Sequence, residues 1–455
     1  MNKKLITKLG CTLVSLIMVT SLMTACGSSS SNSAATTTAV ATATAAPAAE
    51  VKPADLKGTA TIWDWDEAFG KGMGPEFNKT YPNIKINFVT INHDDYMQKL
   101  QSSIAAGTDV PDILLGEGAW RGKMFDMNIS DNLESAPYNV NKADMLDYVI
   151  PSLTNSKGEL VGVDQGAAPA GFAYRRDLAK KYLGTDDPDQ LSALLKDWDS
   201  FITKGKEVVK SSGGKVFMMA GLGDAEIAVS GENSQSFVTG DTIDLTARFT
   251  NTYNTLFKIR DAGILGKTEL YSPAWNNAFS KGETIFFNCA SWGPKWHVSA
   301  NDKDGSGRWG LVVAPGGGYT FGGTSIGIYK DSKNKEAAWT YVKFAYFSKE
   351  GGAFNYKTFG NVPGYKPFFD GTDSPMNSAG PQDAFFGGEN LLKVFYSQIM
   401  PVCKSEPQTK YTTTVATAEG KLIPLFMKDT SIDATKALQM LIAEVKLQAK
   451  DAEVK

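Results

Sequence analysis

ATIWDWDEAFGKGMGPEFNKTYPNIKINFVTI, residues 60–91, holds two short β-rich runs on either side of a glycine-rich stretch. Ala60 to Trp65 reads as one strand. In Ile84 to Ile91, Ile84, Ile86 and Phe88 alternate with Lys85 and Asn87, the period of two that a strand face requires. Between them lie a glycine-rich turn and a short helix. Asp94 then caps a segment with Met97, Leu100 and Ile104 at helical spacing, which ends near Gly107 and Pro111, and Ile113 to Leu115 is a third, fully apolar strand. Strands alternating with helices predict a parallel-rich α/β sheet, in which ligands bind beyond the carboxyl ends of the strands. The loops after Trp65 and Leu115 are therefore site candidates.

The later chain follows the same pattern. Strands are expected near Leu160 to Val163, Val216 to Ala220, Thr284 to Phe287, Leu311 to Val313 and Thr324 to Tyr329; helices over Leu191 to Val209, Leu245 to Ala262, Glu336 to Phe347 and Ala434 to Ala449. No internal tandem repeat is present. About 400 globular residues exceed what one core holds, so two lobes are expected.

The amino-terminal end has a different character. Lys3, Lys4 and Lys8 precede an apolar stretch from Leu9 to Met23, too short to span a bilayer and of the form of a signal peptide. It stops at Leu22-Met23-Thr24-Ala25-Cys26-Gly27, which resembles the lipobox of bacterial lipoproteins, with Met23 where leucine is usual. This predicts a signal peptide over residues 1–25 and lipidation of Cys26. Residues 26–56, rich in Ser, Ala and Thr, cannot bury a core and form a tether with a span of about 30 Å. Loss of the three lysines leaves 43 of 46 basic side chains against 49 acidic ones, a formal charge of −6. No basic footprint for nucleic acid remains. Besides the anchor only Cys289 and Cys403 follow, too few for a disulfide scaffold or a cysteine zinc site; a single disulfide or two buried thiols both fit.

Several phrases in fixed order then carry a resemblance. Pro111-Asp112-Ile113-Leu114 is followed by Gly171-Phe172-Ala173-Tyr174 with Arg175, Arg176, Asp177 and Leu178. Next come Ala278-Phe279-Ser280-Lys281-Gly282-Glu283 before Ser291-Trp292-Gly293, and Gly322-Gly323 before Ser332-Lys333-Asn334 and Ala337-Ala338-Trp339. The last is Gly360-Asn361-Val362-Pro363. Together they resemble the family 1 extracellular solute-binding proteins, the maltose-binding-protein-like group of ABC importers. The resemblance implies an α/β fold of two lobes, periplasmic-binding-protein-like (type II), hinged about a ligand cleft. By analogy, residues 57–166 and 319–358 form the amino-terminal lobe, and 167–318 and 359–455 the other. It also implies the role: a monomeric lipoprotein on the extracellular face of the cell membrane that captures a sugar or oligosaccharide for an ABC permease, without a cofactor.

A sugar needs aromatic platforms for its ring face and carboxylates or amides for its hydroxyl rim. Trp65, Asp66 and Glu67 follow the first strand, and Glu117 and Trp120 the third; Gln165 and Asp224 follow later strands, and Thr324 opens another. The resemblance adds Trp292 as a stacking tryptophan, with Trp275 upstream, Tyr365 beyond Pro363, and Tyr411 as the aromatic after Ile399-Met400-Pro401. Trp63, Trp198, Trp309 and Trp339 read as packing. Ala119, Trp120 and Ala168 stand where the maltose-binding group has carboxylates and an arginine, which argues against maltose itself. A tethered glycosidase would need two carboxylates at a set separation, such as Asp66 with Glu117. The chain has no nucleophile elbow, Walker-type loop or paired metal-binding histidines. Asp302, Asp304, Ser306 and Gly307 open like a calcium loop, but Val313 stands where the bidentate Glu belongs, so a polar turn is expected and no metal site.

Overall fold

Two sheets organise the computed structural model, which describes residues 52–455. The signal segment, Cys26 and the tether up to residue 51 lie outside the described residues. The strands of the two sheets are β1 (Gly58–Asp64), β2 (Ile84–Thr90), β3 (Ile113–Glu117), β4 (Val163–Asp164), β5 (Pro169–Arg175), β6 (Phe217–Met219), β7 (Thr284–Ala290), β8 (Trp309–Val312), β9 (Tyr319–Thr320) and β10 (Thr324–Ile328).

The first sheet runs β2-β1-β3-β10-β4. β1 pairs parallel with both β2 and β3, as the alternation of strands and helices predicts, whereas β10 is antiparallel to β3 and β4. The second sheet runs β8-β5-β7-β6, with β9 also on β5. Here the expectation of a parallel-rich sheet fails: β5 is antiparallel to β7, β8 and β9, and only β6 joins β7 in parallel. The cause is β5 itself. Its seven residues, all buried, sit at the centre of this sheet, yet the apolar, Gly-containing run Pro169–Arg175 has no alternation to mark it as a strand. The fold is thus α/β with two lobes, and the described residues, 52–455, form one compact body.

Helix boundaries follow their caps. The single helix expected over Leu191 to Val209 is two, Pro188–Leu194 and Trp198–Ser211, because Asp187 and Asp197 each accept a main-chain N–H three residues on and start a helix of their own. Helices Thr246–Asp261, Lys335–Tyr346 and Ala434–Gln448 lie where the periodicity places them. Helix Lys410–Lys428, capped by a reciprocal Thr409–Thr412 box, was not expected, since it contains Gly420 and Pro424 and runs through threonines. It packs on Arg121–Asp126, on Leu222–Gly231 and on Ala434–Gln448.

The contact with Arg121–Asp126 is main chain against main chain. A Cβ on Gly122 would lie 2.0 Å from the Thr409 carbonyl oxygen, while one on Gly420 would meet nothing within 4 Å. Gly122→Ala is therefore expected to destabilise the protein by about 1–3 kcal/mol through overpacking. Gly420→Ala should be neutral or stabilising by up to about 1 kcal/mol. Denaturant unfolding of both variants checks this, and equal midpoints would refute it.

Candidate functional site

The ends of β1 and β3, the chain crossings between the sheets and the end of β7 enclose a cavity of about 760 Å³. Six residues named from the sequence line it: Trp65, Asp66, Glu117, Gln165, Trp292 and Thr324. Each sits at or just beyond a strand end. The geometry is set mostly by backbone.

On the first wall, Asp66 is fixed from both sides. Its N–H donates to Asp64 Oδ1 at 2.9 Å, and its own Oδ1 accepts from Phe69 N at 3.1 Å as the cap of helix Glu67–Thr80. Trp65 stands edge-on to His93, Tyr96 and Trp120, with ring centroids at 5.2, 5.7 and 5.8 Å. Glu117 Oε2 accepts from Ala119 N at 2.6 Å. For both carboxylates, the protein hydrogen bonds of the side chain fall on one oxygen only, which leaves the other for a donor in the cavity.

The floor is hinge backbone. Gln165 N donates to Thr324 O, Gly118 N to Gly323 O and Ala167 N to Val362 O. Gly322 and Gly323 have φ of +72° and +94°, and a Cβ on Gly322 would point at Glu117 Oε1 and the Trp292 ring, at 3.6 and 3.7 Å.

On the second wall, Trp292 Nε1 donates to Phe321 O at 3.1 Å, and its ring meets His297 edge-on at 4.6 Å. Burial holds His297 down to about 4, so the imidazole is neutral at pH 7. Trp296, 52% exposed, also lines the cavity. It was missed from sequence, although it lies one helical turn after Trp292. His93, Asn92, Ser291 and Asn361 are further lining residues not singled out. The lining includes no Lys or Arg.

The remaining candidates stand elsewhere. Trp120 is buried, stacked on Tyr96 behind Trp65. Trp275 is also core: it is 1% exposed, and its Nε1 donates to both oxygens of buried Asp224, at 3.0 and 3.1 Å. Indole N–H and carboxylate satisfy each other, so neither reaches the cavity. Glu67 is exposed on its helix, paired with Lys71 at 2.6 Å. Tyr365 packs on Phe347 with centroids at 4.6 Å. Tyr411 is buried in the second core with its hydroxyl donating to Asp451. Trp63 and Trp309 are buried. Cys289 and Cys403 are free buried thiols, both pushed up by burial. Asp302 is not a loop ligand: it is buried and accepts from Trp309 Nε1 and from Arg308.

Burial raises the carboxyls of Asp64, Asp164 and Asp224 to about 7. An acid raised in the folded state contributes stability that is fully present below its unfolded value of about 3.9 and is lost as pH rises through about 7. The melting temperature is expected to fall between pH 5 and pH 8. Asp224→Asn, whose carbonyl still accepts from Trp275, should flatten part of that fall. Thermal unfolding across this range decides, and identical pH slopes would contradict the assignment.

A profile of the bacterial extracellular solute-binding proteins matches residues 73–379 of this chain. Among curated proteins, a lactose-binding protein of Rhizobium radiobacter is 28% identical over 166 residues, 35% of this chain and 38% of that protein. An arabinooligosaccharide-binding protein of Bacillus subtilis is 28% identical over 158 residues, 34% of this chain and 35% of that protein. The chain thus aligns with little more than a third of the length of these relatives. Among solved structures, an extracellular solute-binding protein of family 1 superposes with a TM-score of 0.76 at 20% identity, over 86% of this chain and 99% of the other. The sugar-binding protein MalE of Xanthomonas citri gives 0.71 at 17% identity, over 86% and 98%. At these identities the structural likeness speaks to the fold.

Proposed function

The chain belongs to the bacterial extracellular solute-binding proteins, and from that premise we propose that it is the capture subunit of an ABC sugar importer. It holds a sugar or short oligosaccharide between its lobes and delivers it to the permease. The observation that carries this reading is the composition of the cavity wall. Trp65, Trp292 and Trp296 offer ring-sized apolar faces, and Asp66 and Glu117 each keep an oxygen for a hydroxyl donor. A neutral polyhydroxylated solute matches that set. An anion would meet two carboxylates and no guanidinium.

The relatives support the ligand class. Two are named for lactose and arabinooligosaccharide, and structural neighbours were solved with lacto-N-biose and with β-1,6-galactobiose. The family and these relatives are binding proteins, and the proposal assigns no catalytic step. The lobes of the proposal are residues 57–166 with 319–358 and 167–318 with 359–455, although Tyr319–Thr320 pairs with the second sheet. Ligand contacts from both lobes favour a closed form, which docks on the permease. The chain acts as a monomer held at the outer face of the membrane by a lipid on Cys26, through the tether to residue 56.

The test is a thermal-shift and tryptophan-fluorescence screen of the Cys26→Ser protein against mono- and oligosaccharides, polyols, peptides and organic anions. A sugar at 100 times its Kd is expected to stabilise the fold by about 2.7 kcal/mol. Trp292→Ala should weaken binding by about 2 kcal/mol, roughly thirtyfold. Trp275→Phe should lower the melting temperature with little change in affinity. A response confined to anions or peptides would replace the sugar with another solute. Cys26→Ser should also release the protein from the cell surface, seen by fractionation.

A further inference from the structure

Asp64 is the last residue of β1 and does not touch the cavity, yet it holds the turn that does. Its Oδ1 accepts the N–H of Asp66, so the two-residue turn carrying Trp65 and Asp66 closes on this carboxyl. Its Oδ2 is buried without a hydrogen-bond partner, and the residue is 3% exposed. Helix Lys335–Tyr346 packs on β1 and brings two further buried polar side chains, Tyr341 and Tyr346.

The ionisable groups around Asp64 are few. Asp66 belongs to its own turn. Helix Glu67–Thr80 brings Glu67 and Lys71, which pair with each other. Helix Tyr96–Ala106 brings Tyr96, whose hydroxyl accepts from Leu115 N, and Lys99, whose ammonium lies 4.8 Å from the centre of the Trp63 ring. Among the described residues no cation forms an ion pair with Asp64. A carboxylate there is thus buried beside another carboxylate with main-chain N–H support but no counter-ion, while the protonated acid carries no charge to compensate.

Access for a proton exists. A separate pocket of about 270 Å³ is lined by Asp64, Asp66, Lys71, Phe88 and Thr90, and Asp66 and Thr90 also line the main cavity. These two residues form the partition between the cavity and the pocket of Asp64. A solute seated against them removes water from the partition and makes ionised Asp64 costlier still.

We propose that Asp64 is a positioning residue that sets the Trp65–Asp66 turn against the bound solute and takes up a proton from solvent as the solute covers that turn. The inference rests on the cavity being the ligand site. Burial already pushes the free carboxyl up to about 7, so uptake falls near neutral pH. Affinity is highest below the titration of the free protein and declines as pH rises through that of the bound one. Each unit by which the ligand raises Asp64 gives about tenfold in affinity between the two limits.

The first experiment needs no ligand. In the Cys26→Ser protein, the indole N–H resonance of Trp65, assigned by its loss in Trp65→Phe, is followed by NMR from pH 5.5 to 8.5. A midpoint near 7 is expected, present in Asp164→Asn and absent in Asp64→Asn, whose amide keeps the acceptor for Asp66 N–H. A resonance that does not move, or one that titrates unchanged in Asp64→Asn, overturns the proposal. For a sugar found in the screen, calorimetry in two buffers of different ionisation heat should show proton uptake at pH 7 that Asp64→Asn loses, with that variant binding as the wild type does at pH 6. Binding with identical proton uptake in Asp64→Asn sinks the inference and leaves the sugar reading standing. If no sugar binds, the sugar reading fails and the NMR titration still decides whether Asp64 controls the turn.

Discussion

A single buried guanidinium ties together the parts on which the cavity depends. Arg121 donates from Nε to Gly116 O at the end of β3, from Nη1 to Ser152 O, and from Nη2 to Gly323 O in the hinge. Burial lowers its basicity, and Asp164 nearby works against that. The converse is visible at Asp164, where burial raises the carboxyl and Arg121 pulls it back. A buried charge of this kind is tolerable only when its donors are used, and carbonyls of three chain segments use them. The end of β3, the crossing at Gly323 and the segment at Ser152 are thereby fixed to one point, and Glu117 and the glycine turn inherit their positions from it.

From that anchor the first wall follows with little further cost. Asp66 and Glu117 are each oriented by hydrogen bonds to backbone N–H groups within three residues of themselves. Local capping consumes one oxygen and leaves one, so each group is preorganised without a partner side chain that a ligand would have to displace. Gly322 and Gly323 are favoured in this turn because their backbone is left-handed, a conformation that strains a residue with a side chain.

These features mark where the sequence was readable. Trp65, Asp66, Glu117, Gln165 and Thr324 lie at strand ends, and strand ends follow from apolar runs, whereas Trp292 came from the family resemblance. Trp275 and Asp224 had the same residue types and similar settings, yet they face each other in the core, a choice of side-chain direction that no local pattern records. Tyr411 failed for a related reason: the helix that holds it, Lys410–Lys428, is supported by tertiary packing against weak intrinsic propensity. Trp296 shows the reverse case, since its spacing from Trp292 was present in the sequence and only its exposure was not. The antiparallel second sheet was hidden because β5 is buried on both faces and shows no period of two.

The second wall is stiff for a different reason from the first. Its platform, Trp292, leans edge-on against His297, His297 against Trp275 at 5.2 Å, and Trp275 is held by Asp224 through its indole N–H. His297 can serve as a packing element in this series because burial keeps it neutral. The other end of the platform is tied to the crossing strand, through Trp292 Nε1 on Phe321 O. An indole bonded to hinge backbone cannot keep its place if that backbone rotates. In the proposed reading, the hinge angle and the orientation of Trp292 are therefore coupled, and a solute that prefers one orientation of the ring favours one hinge angle.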